Sequence, residues 1–321
     1  MRALVTGGSG FLGQLLVKKL LEDGFSVRLL SRSVLKITLE NLEIVVGDLT
    51  SEADFSDIAI GCDVIFNCAG EVNHQDKMFA LHVEGTRKLI EAVNASFQVD
   101  GKTKHWVQLS SVGAYGSSLT PAVQKVVNEL SEPKPIGVYE VTKTLADEMI
   151  IESSNNTSMT YTILRPSNIV GVSMPNNSFR ELLRAISKRR FFFIGSRKSI
   201  ATYIHVDDVV DALIVCARNK KARNQIFNLS NDCYLSEIVV SVCSAIGFKP
   251  NFLLLPETPL RFFVCIFSKF FTLPLTKSRI DALVSKTTYP CKKIKDVLGF
   301  TPKKSIPEFA VEYCEYLNVK T

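Results

Sequence analysis

The chain has 321 residues, 46% hydrophobic and 22% charged, which is ample for the core of one large or two modest domains. Its formal net charge of +6 is scattered, with short clusters such as Lys188-Arg189-Arg190 but no basic stripe, so no nucleic-acid partner is expected. The eight Cys include no C-x-x-C pair and sit mostly among apolar residues, which excludes a disulfide framework or zinc site and fits buried thiols in a reducing compartment. No metal is expected.

The first residues already read as a strand, so no signal peptide is expected. No apolar run approaches the roughly 20 residues of a membrane span. The expected location is cytoplasmic.

In chain order, Arg2–Thr6 is a short apolar strand, and Phe11–Glu22 places Leu12, Leu15, Leu16 and Leu20 at helical spacing. Strands follow at Phe25–Leu30, Glu43–Val46 and Asp63–Phe66, then a helix at Glu84–Ala95 and a strand at Trp106–Leu109. A helix at Tyr139–Glu152 and a strand at Tyr161–Leu164 complete the alternation. This pattern predicts an α/β fold with a doubly wound parallel sheet covered by helices on both faces. After Pro166 the alternation breaks down. A helix at Phe179–Arg190, a strand at Thr202–His205, a helix at Asp207–Ala217 and a strand at Ile226–Leu229 precede Pro-punctuated helical segments. The expected organisation is a dinucleotide-binding domain over 1–170 and a smaller, mostly C-terminal substrate-binding region over 171–321. Residues near 200–230 are expected to return to the main sheet.

Thr6-Gly7-Gly8-Ser9-Gly10-Phe11-Leu12-Gly13 leaves the first strand and opens the first helix. Gly7 suits the tight turn, Gly10 a close backbone approach to a diphosphate, and Gly13 close helix packing on the sheet. The helix N-terminus adds free N–H groups and a favourable dipole.

Through this turn the chain resembles the extended branch of the short-chain dehydrogenase/reductase family, of the NAD-dependent epimerase/dehydratase type. Later motifs fit in the same order: G-D-L at 47–49, N-C-A-G at 67–70, V-E-G-T at 83–86, S-S-V-G-A-Y-G at 110–116, Y-E-V-T-K at 139–143, L-R-P-S-N-I-V-G at 164–171 and Y-I-H-V-D-D-V-V at 203–210. The likeness implies a Rossmann fold and a nicotinamide cofactor held by Gly7, Gly10, Phe11, Leu12, Gly13, Asp48, Leu49, Cys68, Ala69, Gly70, Tyr139, Lys143 and Pro166. It also implies a small-molecule substrate and a homodimer. The second strand ends Leu29-Leu30-Ser31-Arg32-Ser33, with no acid to hold a ribose 2′-hydroxyl, so Arg32 points to NADP, with NAD the close alternative.

Tyr139 and Lys143 share one helix face. An ammonium favours the phenolate of a Tyr whose reference pKa is near 10, so the pair suits proton transfer. By resemblance, Ser111 is the hydroxyl that meets the reacting carbonyl or alcohol, with Ser110 a weaker substitute. His82 stands where the family usually has Asn and reads as structural. Asn168 matches a substrate contact. Nucleotide-sugar epimerases often carry an Arg where this chain has Ala201; here Arg197, Lys198, Arg279 or Lys286 would supply that charge. Asp207 and Asp208 read as a helix-capping pair. The aromatic run 262–271 reads as a buried helix first, with a pocket wall or a membrane-surface helix as alternatives. The end, Lys292 to Pro302, resembles that of bacterial nucleotide-sugar epimerases. The leading expectation is therefore 4-epimerisation or 4-ketoreduction of a nucleoside-diphosphate sugar. A 3β-hydroxysteroid dehydrogenase- or dihydroflavonol reductase-like enzyme is the first alternative, and a non-catalytic cofactor sensor the second.

Overall fold

The computed structural model describes residues 1–34, 39–118, 120–250, 252–267 and 275–319. Seven strands form the central sheet: β1 (Arg2–Thr6), β2 (Ser26–Ser31), β3 (Leu42–Val46), β4 (Val64–Asn67), β5 (His105–Leu109), β6 (Thr160–Pro166) and β7 (Gln225–Leu229). Their order is β7-β6-β5-β4-β1-β2-β3, and every neighbouring pair is parallel. The order reverses between β1 and β4, whose carboxyl ends meet at Thr6 and Asn67. In a doubly wound sheet that switch point is where a ligand crevice opens.

The α-helices of seven residues or more are α1 (Phe11–Glu22), α2 (Gly85–Asp100), α3 (Val138–Asn156), α4 (Ser178–Ser187), α5 (Val206–Arg218), α6 (Leu235–Ala245), α7 (Glu257–Phe267), α8 (Lys277–Val284), α9 (Lys292–Leu298) and α10 (Ile306–Val319). Two-residue alternation splits the sheet's side chains between two cores. Ala3, Val5, Val64 and Phe66 pack with Leu16 and Leu20 of α1 and Val209 and Leu213 of α5. Leu4, Ile65 and Trp106 pack with Leu89 and Val93 of α2 and Ile150 of α3. The strands lie where alternation placed them. α2 and α3 run past the expected Ala95 and Glu152, and a π-helical turn at Ala80–Glu84 leads into α2.

A third core joins α4, α6 and α10 through Phe179, Leu183, Ile238, Val242, Phe309 and Tyr313. β7 pairs with β6 in the main sheet, and α5 and α9 contribute to the core on one of its faces. A short parallel pair, Asn168–Val170 with Tyr203–His205, ties the two regions together just beyond β6.

The aromatic run departs from expectation. α7 packs through Leu260 and Val264 onto Ile194 and onto Ile280 and Val284 of α8. One helix face can make that contact, and Phe262, Phe263 and Phe267 lie off it, exposed to solvent. Residues 268–271 of the run lie outside the described residues. Asp207 and Asp208 also depart from a capping pair. His205 caps α5, with Nδ1 accepting from the Asp207 N–H at 3.2 Å. Asp208 instead accepts from the backbone N–H groups of Lys303 and Lys304, at 2.9 and 3.0 Å, and anchors the C-terminal segment.

Candidate active site

At the switch point Gly7 adopts φ +70°, and a side chain there would sit 2.6 Å from the backbone of Cys68 and Ala69. A side chain at Gly13 would come within 2.1 Å of the Gly7 carbonyl oxygen. Both positions therefore need glycine, and the turn closes with Gly10 N–H donating to Gly7 at 3.0 Å. No side chain caps the start of α1, so the N–H groups of its first turn face the crevice. Cys68, Ala69 and Gly70 follow β4 on the opposite wall. Leu12 and Leu49 are buried in the two sheet cores, which leaves their backbone for any ligand contact. Arg32 stands exposed just beyond β2. Against the cost of burial, hydrogen bonds from Thr50 and the charge of Arg32 hold the Asp48 carboxyl below its usual range.

α3 brings Tyr139 and Lys143 to the same crevice. The Tyr139 ring meets His82 edge-on, with centroids 5.6 Å apart. Among the described residues no group hydrogen-bonds its hydroxyl. Burial, helped by the Glu140 and Asp147 carboxylates, pushes that phenol up to about 12. Lys143 is buried, and burial pulls its ammonium down, opposed by Asp147 and Cys68. Among the described residues the ammonium has no hydrogen-bonding partner, so its N–H groups are available to the cleft.

His82 is a spoken-for imidazole. Its Nε2 accepts from the Glu71 N–H at 2.9 Å, so Nδ1 carries the proton that reaches Thr142 Oγ1 at 2.8 Å. Burial, with Lys143 nearby, lowers it to about 3, so it stays neutral. It ties the chain beyond β4 to α3 one residue before Lys143.

Two residues that motif reading passed over stand behind Lys143. Asp147, one turn along α3, accepts from Ser110 Oγ at 2.8 Å and from Arg165 Nε and Nη2 at 3.2 and 3.1 Å. Ser110 is thus committed to Asp147. Ser111 Oγ accepts from the Gly113 N–H at 3.0 Å and lines the cavity beside Tyr139. The i, i+4 spacing of Lys143 and Asp147 was the available sequence signal.

A cavity of about 1020 Å³ opens from Ser111 and Tyr139 toward the C-terminal region. Pro166 and Asn168 line it, as do the amides of Asn176 and Asn177, the hydroxyls of Ser117, Ser118, Thr202 and Ser278, and the rings of Phe11 and Tyr203. Arg197 and Arg279 do not. Arg197 donates to the Phe252 carbonyl at 2.8 Å and stacks over that ring, while Arg279 pairs with Glu181. Lys198 and Lys286 also lie off the lining; among the described residues it contains no Lys or Arg.

A dinucleotide fits this cleft on three observations: the Gly7–Gly13 cradle that side chains would fill, the uncapped start of α1, and the ammonium of Lys143, which has no protein partner among the described residues. Bound there it would supply or accept a hydride, while the chain's own groups bind, orient and move a proton.

Fold and cleft together define a dinucleotide-dependent oxidoreductase of the α/β class. The chain belongs to the NAD dependent epimerase/dehydratase family, whose model matches residues 3–230. It is 25% identical to the UDP-glucose 4-epimerase of Vibrio cholerae over 95% of this chain and 92% of that one. It is 27% identical to the 3-beta-hydroxysteroid dehydrogenase of Mycolicibacterium neoaurum over 68% of this chain and 61% of the relative. Among solved structures, MoeE5 in complex with UDP-glucose and NAD superposes with a TM-score of 0.73 at 22% identity, over 99% of this chain and 100% of that one. No helix among the described residues is long and apolar enough to cross a membrane.

Proposed function

We propose that this enzyme interconverts a secondary alcohol and a ketone on the sugar ring of a nucleoside-diphosphate sugar, as a 4-epimerase or 4-ketoreductase. One observation carries the reading: among apolar groups such as Val112, Ile169 and Leu235, the cavity beside Tyr139 also presents the hydroxyl- and amide-bearing residues Ser117, Ser118, Asn176, Asn177 and Thr202, hydrogen-bonding partners that a polyhydroxylated ring and a base would use and a hydrocarbon skeleton would leave unpaired. Its volume admits a nucleotide sugar, and its far wall includes Asn176 and Asn177 just ahead of α4, where Asn176 Oδ1 accepts from the Ser178 N–H at 2.7 Å. The full-length likeness to a UDP-glucose 4-epimerase agrees.

In this reading Tyr139 moves the hydroxyl proton, Ser111 hydrogen-bonds the reacting oxygen, and Lys143 holds the cofactor's ribose and favours the phenolate. The glycine turn holds the diphosphate of the cofactor, with Asp48, Leu49 and Cys68–Gly70 along its cleft. For the cofactor we propose NADP over NAD: β2 ends without a carboxylate, and Arg32 stands exposed where a 2′-phosphate would lie. A cytoplasmic homodimer completes the proposal.

The second reading, an apolar alcohol as substrate, is favoured by the lack of Lys and Arg among the described lining residues, because a diphosphate usually finds cations. Calorimetric titration of the cofactor-loaded enzyme with UDP, UDP-glucose and dTDP-glucose decides. Binding is expected in the micromolar to low millimolar range. No heat from any of them at millimolar concentration would overturn the nucleotide-sugar reading and promote the other.

A further inference from the structure

Behind the cavity wall, a chain of polar groups leads away from Ser167. Its Oγ lies 2.7 Å from Ser230 Oγ, and Ser230 Oγ in turn makes a very short contact with Asp232 Oδ1. The other carboxylate oxygen of Asp232 accepts from the Tyr289 N–H at 2.6 Å. Ser167 and Tyr289 both line the cavity. Ser167 and Ser230 are buried, so water does not compete for these hydroxyls.

Proton counting fixes the direction. An ionised carboxylate only accepts, and Ser230 has one proton, which goes to Asp232. Ser167 must then donate its own proton to Ser230, which leaves only lone pairs on Ser167 for the cavity. A protonated Asp232 can donate instead; Ser230 then donates to Ser167, and the Ser167 proton is released toward the cavity.

We propose that Ser167, Ser230 and Asp232 form a hydroxyl relay that makes Ser167 an acceptor for a substrate hydroxyl when Asp232 is ionised and a donor when it is protonated. Asp232 and Ser230 are positioning residues, and Ser167 is the specificity contact. The proposal rests on this cavity being the substrate site, and not on which alcohol fills it.

The surroundings permit the switch within the ordinary pH range. Burial pushes the Asp232 carboxyl up to about 6, against the hydrogen bonds from Ser230 and Tyr289. The titratable groups around it are Cys233 on its own segment and Tyr289 and Cys291 opposite, with Glu129 and Glu237 beyond. Burial pushes Cys233 and Tyr289 up to about 12 and Cys291 to about 11, so none of the three titrates alongside Asp232. Further out stand Tyr115 and Asp208, and Lys293, whose charge couples to Glu129.

The test uses the cofactor-loaded full chain, with UDP-glucose and UDP as probes, at pH 7.5 and pH 5. Wild type should bind UDP-glucose about fivefold more weakly at pH 5, one neutral hydrogen bond's worth, while UDP, whose terminal phosphate itself gains a proton in this range, should show the same pH dependence in wild type and in both variants. Asp232→Asn keeps an oxygen for the Tyr289 N–H and turns its NH2 to Ser230. It should therefore hold the low-pH affinity at both pH values. Ser167→Ala should be flat with pH. In infrared titration, a protonated-carboxyl band should appear near pH 6 in wild type, vanish in Asp232→Asn and shift in Ser167→Ala. An Asp232→Asn enzyme with wild-type affinity at both pH values overturns the relay, and so does a Ser167→Ala enzyme whose band stays in place. If wild type binds neither probe, the nucleotide-sugar reading falls, and the infrared titration alone decides the relay.

Discussion

Removing one oxygen from Tyr139 isolates proton transfer from everything else that residue does. In Tyr139→Phe the ring keeps its edge-on contact with His82 at 5.6 Å, and no hydrogen bond is lost because the hydroxyl has no partner among the described residues. Stability should therefore change by no more than about 0.5 kcal/mol, as for substitutions that break no named interaction. Cofactor affinity should stay within about threefold, since Lys143 and the glycine turn are untouched. Turnover is a different matter. A positioned acid or base contributes about 10²- to 10⁴-fold, so kcat should fall by that factor with little change in KM. In the cofactor-free protein burial holds this phenol at about 12, so it is neutral across the working range and can donate a proton; accepting one requires a positive charge that stabilises the phenolate, the role proposed for Lys143. The assay follows reduced-cofactor absorbance at 340 nm under single-turnover conditions, alongside thermal unfolding and cofactor titration. A variant that keeps more than a tenth of the wild-type rate refutes the assignment. A variant that also loses several kcal/mol of stability refutes the claim that the hydroxyl is structurally idle.

Arg32→Ala should weaken NADP by about one to two decades and NAD hardly at all, the size of a charge-assisted phosphate contact; equal losses by titration would remove Arg32 from cofactor choice. Asp147 and Arg165 are 0% and 3% exposed, so Arg165→Met leaves a buried carboxylate unpaired and should cost about 3–5 kcal/mol in urea unfolding, most of it recovered in Arg165→Met/Asp147→Leu. An unaltered urea midpoint would contradict that pairing. His82 falls from 6.5 to about 3 on folding, chiefly through burial and then through Lys143, so stability is full above 6.5 and declines as pH falls toward 3. His82→Asn should flatten that decline by about 1.4 kcal/mol per pH unit between pH 6 and 4; an unchanged slope would show that the imidazole becomes charged in the fold. Phe262→Ser changes an exposed face of α7 and should leave stability within about 0.5 kcal/mol, whereas Val264→Ala opens the contact with α8 and should cost about 1–3 kcal/mol, both read by thermal unfolding.

The sequence by itself determined the local part of this molecule. Alternating apolar strands and helices of 3.6 period dictated the parallel sheet, because side-chain periodicity depends only on which face is buried. The Gly7-x-x-Gly10-x-x-Gly13 turn and the Tyr139/Lys143 pair were legible for a related reason: each spans only a few consecutive residues, so its spacing is written in the chain. What reached across elements was not legible. Arg197 and Arg279 have the right charge for a diphosphate, but the fold gives them to Phe252 and Glu181, and no spacing in the chain reports that. The apolar run 262–267 promised burial, yet only the face carrying Val264 meets α8, because a helix offers one stripe to one neighbour. Asp147 with Arg165, and Ser167 with Ser230 and Asp232, join residues on different strands and segments, so their charges and protons are set by partners distant along the chain. Burial and hydrogen-bond direction are properties of that packed arrangement, and only the tertiary structure decided them.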